Sequence, residues 1–264
     1  MERESGIGKK TLCSLTTSVT KELIHSNELT RLMKPQNYCG IILIDGKYVK
    51  VKEREMVEIA FIDYLTHDIP VHVTAFSENM TDIEMGAKEL KCIGYPLIAV
   101  VCDESMGEIA KVMKNVFPEV IIQYCLTHYS RNVDRIFKVN MAKRSIASLE
   151  RKMKAIGKSL LLKTHKHDQE KARQLVNEIA ALENEYGYLI EIQSYLRSIF
   201  WQAKTEKDVA KLEDEMNEAI ARMNLDRYPH ASKILKRYDD YYDKRDQLTA
   251  FTTYPHLDIP RTTN

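Results

Sequence analysis

Two aspartates stand at equivalent places in the sequence: Asp45 closes the apolar run "IILID", and Asp103 closes "LIAVVCD". In α/β sheets, ligands gather beyond the carboxyl ends of strands, where the connecting loops diverge. If these two strands are parallel neighbours, their terminal carboxylates converge. Paired carboxylates are hard oxygen donors of the kind that Mg²⁺ or Mn²⁺ prefers. Two such ions about 3.5–4 Å apart can activate a water or a 3′-hydroxyl and stabilise the leaving oxygen of a phosphodiester displacement. An Asp after a strand is also a common turn and helix-cap residue, so neither Asp is informative alone. A second pair lies in "FPEVIIQYCLTHYSRNV", where Cys125 and His128 are three apart, directly after an apolar run and at the head of a helical pattern. As a zinc half-site, this Cys-x-x-His needs two more ligands; His67, His72 and Cys102 are available, without recognisable spacing. The alternative is a buried Cys beside a hydrogen-bonded His.

The elements that must hold these residues change character along the chain. From about Gly40 to Gln123 the texture is α/β. "GIILID" and "KYVKVKE" read as two strand-like segments, and in the second Lys50, Lys52 and Arg54 alternate with Val49 and Val51, which would put the cations on one face. "EIAFIDYLT" and "IPVHVTAFS" read as a hairpin. "TDIEMGAKELKCIG" opens with a Thr cap and carries helical spacing. The continuous run Leu97–Cys102 reads as a strand buried on both faces, followed by a helix, "GEIAKVMKNVFP", and a short strand, "VIIQYC". From about Arg135 to Thr249 the pattern is helical. Ile146, Leu149, Met153, Ile156 and Leu160 form one stripe. Ala172, Leu175, Ile179, Leu182, Tyr186 and Leu189 form a second. Val209, Leu212, Met216, Ile220 and Met223 form a third, behind a capping-box pattern at Thr205–Asp208. Three such helices make a bundle, with solvated charge on its outer faces. "AFTTYPHLDIPRTTN" is non-periodic and reads as a connection returning from that bundle. Residues 1–36 are short, mildly basic and weakly helical, either a linker or the rear of a helix-turn-helix.

Composition narrows the class. With 264 residues, 44% hydrophobic and 29% charged, the chain can bury a sizeable core. No apolar run approaches the roughly 18 residues that span a membrane, and "MERESGIGKK" lacks the apolar stretch of a secretory signal. Five cysteines without a CxxC pair fit reduced thiols better than a disulfide framework. A net charge of +1 argues against a protein that coats nucleic acid over its whole surface, and leaves a local groove open.

The ordered set "IDGKY", "VVCDES", "FPEVIIQYCLTHYSRNV", a long helical stretch and "PRTTN" closely resembles the Mutator-like group of DDE transposases and their bacterial and archaeal insertion-sequence relatives. The resemblance covers about residues 37–134 and 251–264. It implies an α/β, RNase H-like fold: a mixed five-stranded sheet, its first three strands antiparallel, interrupted after the fifth by a large all-helical insertion. The domains would then be an N-terminal linker or remnant of a DNA-binding region (1–36), the catalytic core (37–134), the helical insertion (135–250) and the return to the core (251–264). The resemblance maps the first two acids onto Asp45 and Asp103, the C/DxxH signature onto Cys125 and His128, and the following Arg-Asn onto Arg131 and Asn132. It implies a two-ion Mg²⁺ or Mn²⁺ site, hydrolysis of DNA at transposon ends, and attack of the freed 3′-OH on target DNA. The active form would be a homo-oligomer in the nucleoid or cytoplasm of a prokaryote, or in a nucleus.

The third acid departs from this pattern. In relatives the "TTN" turn opens a helix carrying a Glu about three residues on, which here would lie beyond Asn264. Glu206, Glu213, Glu215 and Glu218 belong to the periodic helices and are poor substitutes; Asp258 precedes the motif. The expectation is therefore a transposase fragment, defective as written. The alternative is a non-catalytic DNA-binding or regulatory remnant that contacts DNA through Lys50, Lys52, Arg54 and Arg131. A phosphatase with Asp45 as nucleophile is excluded, because it needs an acid two residues on and position 47 is Lys.

Overall fold

Ile41, Ile42, Leu43 and Ile44 are all buried, and they open a strand that does not stop where its apolar run stops. The computed structural model of the protein describes residues 37–263 except 52–53, 78, 105–106, 161–165 and 224–230. The expectations for residues 1–36, Lys52 and Asn264 lie outside the described residues. Strand β1 is Ile41–Val51, continuous through Gly46, so the two segments read from the sequence are one element. It pairs antiparallel with β2 (Arg54–Asp63), which pairs antiparallel with β3 (Val71–Ala75). Helix α1 (Met80–Cys92) follows. Its cap is Asn79, whose side chain accepts from the Asp82 N–H at 3.0 Å, rather than the expected Thr81. Next come β4 (Ala99–Cys102), α2 (Gly107–Val116) and β5 (Ile121–Tyr124). β4 and β5 are parallel, and the strand order β3-β2-β1-β4-β5 makes the sheet mixed.

The chain divides into two compact units. One holds the residues up to Ile98 together with Lys111–Glu119, and the other holds Ala99–Ala110 and everything from Val120 onward.

In the first unit, α1 lies very close to the antiparallel strands. A Cβ on Gly86 would stand 2.4 Å from Cε2 of Phe61, whose ring is fully buried, so glycine is what permits the approach. The turn after β2 is closed by Asp63, a fully buried carboxylate. It accepts from the backbone N–H groups of Leu65 (3.1 Å), Thr66 (2.8 Å) and Cys39 (3.0 Å), and from the hydroxyls of Thr66 and Tyr95. Burial pushes this carboxyl upward, but the hydrogen bonds from Tyr95, Thr66 and Cys39 outweigh it and hold the group below the usual range.

In the second unit, helix α3 (Leu126–Phe137) follows β5 directly, then α4 (Val139–Leu160), α5 (Lys166–Trp201), α6 (Glu206–Arg222) and α7 (Ala231–Asp243). Thr205 and Asp208 form the expected capping box of α6. Of the stripe read on α5, Leu175 and Leu189 are the buried members. The densest packing lies further on, at Ile192, Leu196, Ile199 and Phe200. Two short turns, α8 (Arg245–Leu248) and α9 (Ala250–Thr253), and a 3₁₀ turn at Pro255–Leu257 bring the chain back. Buried Gln123 on β5 receives them, donating to the Leu248 carbonyl (3.3 Å) and accepting from the Phe251 N–H (3.1 Å). No described helix is long and apolar enough to cross a membrane.

The Asp63 turn yields the first prediction. A carboxyl held below its unfolded pKa of about 3.9 contributes stability that is present above that value and lost as pH falls through the folded pKa. Urea denaturation from about pH 7 to pH 3 should therefore show stability falling below about pH 5. Asp63→Asn should cost about 1–3 kcal/mol at neutral pH, because its amide nitrogen faces donors, and should flatten the acid-side fall. An unchanged slope would contradict the assignment.

Candidate active site

Asp103 follows the last residue of β4, where the strand's carboxyl end meets the parallel β5 and its loop. Helix α3 starts at Leu126, with Cys125 as its N-cap, so His128 sits in the first turn. His128 Nδ1 stands 3.9 Å from Asp103 Oδ2, with the two side chains 22% and 21% exposed. Nδ1 is buried and makes no hydrogen bond among the described residues. A charged or polarised partner placed between the two would satisfy it.

Cys125 and the chain's last described residues explain the Cys-x-x-His motif locally. Cys125 lacks a side-chain cap bond to its helix. Its thiol accepts from the Thr263 N–H (3.5 Å) and Oγ1 (3.7 Å) and donates to Thr262 Oγ1 (3.6 Å). The Leu126 N–H, one of the free donors of the helix start, is taken by the Arg261 carbonyl at 2.8 Å. The Arg261 guanidinium then donates to the Phe200 and Ala203 carbonyls, both at 2.9 Å, at the end of α5. A cation there complements the helix terminus. "PRTT" is thus a staple between the head of α3 and the tail of α5. The sequence reading saw the motif and missed Arg261.

It also missed Glu104. This side chain is 4% exposed. It accepts from Asn132 Nδ2 on α3 (3.0 Å), Arg237 Nη2 on α7 (2.9 Å) and Lys244 Nζ just after α7 (2.9 Å). Asp240 completes the set, bridging Arg237 (2.6 Å) and Lys244 (2.7 Å). The Arg237 guanidinium lies 4.0 Å from the centre of the Tyr129 ring. Two acids and two bases therefore balance. Burial raises the Glu104 carboxyl, but the bonds from Asn132, Lys244 and Arg237 prevail and hold it low. Only the residue before Glu104 stood out in the sequence, because its partners lie 133 and 140 positions away.

The remaining expected residues fall as follows. Asp45 does not end its strand. It lies within the β1–β2 ladder opposite Ala60, because Gly46–Val51 continue the pairing. Lys50 and Arg54 do not lie along one strand: Lys50 stands opposite Glu55 and Arg54 opposite Val51, ladder positions of opposite parity. Of the cationic face expected on one strand, Lys50 lies on β1 and Arg54 on β2, and Lys52 lies outside the described residues. Arg131 is exposed on α3, while Asn132 binds Glu104. Glu213 is buried and held by Tyr241 (2.7 Å) and Arg245 (2.7 Å); Glu206 is engaged by Thr253 and Arg245. Asp258 is exposed in a left-handed conformation after the 3₁₀ turn.

The donor chemistry discriminates between metals. Among the described residues no three His, Cys, Asp or Glu side chains gather into a metal-holding group. Cys102 is fully buried and its thiol is pushed well up by that burial, and the Cys125 thiol exchanges hydrogen bonds with Thr262 and Thr263. Asp103 offers one carboxylate at this place, the oxygen-donor type that hydrated Mg²⁺ takes. No model of a known protein family matches the chain, and no curated protein matches its sequence.

Removing one member of a buried ion group leaves its partners uncompensated. Glu104→Ala should cost about 3–5 kcal/mol by that logic, and Glu104→Gln, which keeps acceptor geometry, about 1–3 kcal/mol. A urea double-mutant cycle of Glu104→Ala with Arg237→Met should show a coupling above about 1 kcal/mol. Additive losses would contradict the network.

Proposed function

We propose that this chain is the core portion of a DDE transposase: an RNase H-like sheet with a helical insertion, acting on DNA with Mg²⁺ or Mn²⁺. The observation that carries the reading is the contact between Cys125 and Thr263, 138 positions apart. The motifs "CLTH" and "PRTT" that carry the resemblance are separated by the whole helical stretch, and they meet at the head of α3. The strand order, with three antiparallel strands first and a parallel pair after, also supports the reading.

In this reading Asp103 holds the ion, with Asp45 as the acid that the resemblance assigns to the same ion. When bound, such an ion would supply charge neutralisation at the scissile phosphate and a lowered pKa of its water. His128, in the first turn of α3, brings its Nδ1 to 3.9 Å from Asp103 Oδ2, beside the proposed ion position. Cys125 and Thr263 fix the turn from which His128 projects. Homo-oligomerisation on transposon ends belongs to the same proposal.

A second reading, a DNA-binding or regulatory form without cleavage, is favoured by the engaged glutamates. Glu206 and Glu213 are held by Arg245 and cannot double as the third acid. In this second reading the expectation is DNA binding with strand cleavage below detection. Titration of Mn²⁺ followed by electron paramagnetic resonance should show binding that Asp103→Asn removes and Asp45→Asn weakens at least tenfold. Binding untouched by both variants would contradict the metal site. Robust Mg²⁺-dependent nicking by the 264-residue chain, abolished by Asp45→Asn, would overturn the second reading.

A further inference from the structure

Helix α4 carries six cations (Lys143, Arg144, Arg151, Lys152, Lys154, Lys158) against one acid, Glu150, a net of +5 in a chain whose total is +1. Their placement is ordered. Ile146, Leu149, Met153 and Ile156 occupy the face that is half-buried, where α4 packs on α5. Arg144, Arg151 and Lys154 step by seven and three residues along the opposite face, and all three are exposed. Lys143 is drawn aside by Gln193, to which it donates at 3.0 Å. No ion pair holds Arg144, Arg151, Lys152 or Lys154 to an acid among the described residues, whereas Arg197 and Arg222, on α5 and α6, are each paired with a carboxylate. From Arg144 to Lys154 the stripe spans about 15 Å.

We infer that the outer face of α4 is a docking surface for the phosphate backbone of duplex DNA, centred on Arg144, Arg151 and Lys154. The choice of DNA among polyanions rests on the function proposed above; the stripe itself does not. A membrane is disfavoured because an interfacial helix must free its apolar face, and here that face packs on α5. A flexible acidic peptide would have to be ordered along the stripe at an entropic cost. A duplex offers a fixed row of anions to a fixed row of cations, and release of its counterions drives the association. This surface takes the role that the sequence suggested for Lys50, Lys52 and Arg54.

The test is fluorescence anisotropy of a labelled duplex against the full chain, with salt varied from about 50 to 200 mM. The variants are Arg144→Gln/Arg151→Gln/Lys154→Gln together and Arg151→Gln alone, each checked by thermal melting. The triple variant should bind at least tenfold more weakly and lower the salt slope by roughly 2.7, and the single variant by roughly 0.9. If the wild-type chain binds and both variants keep its slope, the stripe is overturned while the DNA reading stands. If the wild-type chain does not bind duplex DNA, or binds anionic vesicles or polyglutamate more tightly, the inference fails with its choice of partner. If the slopes fall as expected but Mn²⁺ binding ignores Asp103→Asn, the surface stands and the metal reading falls. Should the triple variant melt early, the single variant's slope decides.

Discussion

A carboxylate that is almost wholly out of water has to be answered by charge, and in the second unit the answer to Glu104 organises everything near the end of β4. Arg237 and Lys244 come from α7 and the residue after it, and Asn132 comes from α3. Removing an ion from water costs several kcal/mol, which only well-placed partners offset. The segment from α7 to Lys244 is therefore held where its cations reach Glu104. Asp103, one residue earlier in the chain, inherits a fixed backbone. Such a group adds little net stability compared with an apolar replacement, but breaking it is costly.

The second constraint is the staple at the head of α3. A helix start leaves free N–H donors, and a helix end leaves free carbonyls. Arg261 serves both: its carbonyl takes the Leu126 N–H, and its guanidinium takes the Phe200 and Ala203 carbonyls. Through it the longest helix, of 36 residues, is tied to the turn that carries His128. The Cys-x-x-His spacing follows from this arrangement, with the Cys facing the returning threonines and the His facing Asp103.

Local signals were legible in the sequence and distant pairings were not. The run Leu97–Cys102 declared a strand buried on both faces, and residues Ala99–Cys102 are such a strand. Thr205 and Asp208 declared a capping box, which forms. Each of these depends on neighbours within a few residues. The end of β1 was misjudged because Gly46 resembles a break, while the ladder with β2 carries the strand five residues past it. Helix α7, rich in tyrosine and charge, gave no clean apolar stripe. Its inward face holds Arg237 and Tyr241, which are buried through partners on other elements. Glu104 and Arg261 were silent for the same reason. Of the candidate site, Asp103 and His128 were each singled out in the sequence, while their approach to 3.9 Å and the fabric that enforces it were not.

The central proposal is that Asp103 holds a divalent ion. Iron(II) can replace such an ion and, with peroxide and ascorbate, cut the polypeptide backbone beside its own site. Mapping these cuts by mass spectrometry tests the claim directly. The account predicts cleavage around Asp103, suppressed by excess Mg²⁺ and lost in Asp103→Asn. Cuts elsewhere only, or cuts that ignore Mg²⁺ and the variant, would contradict it.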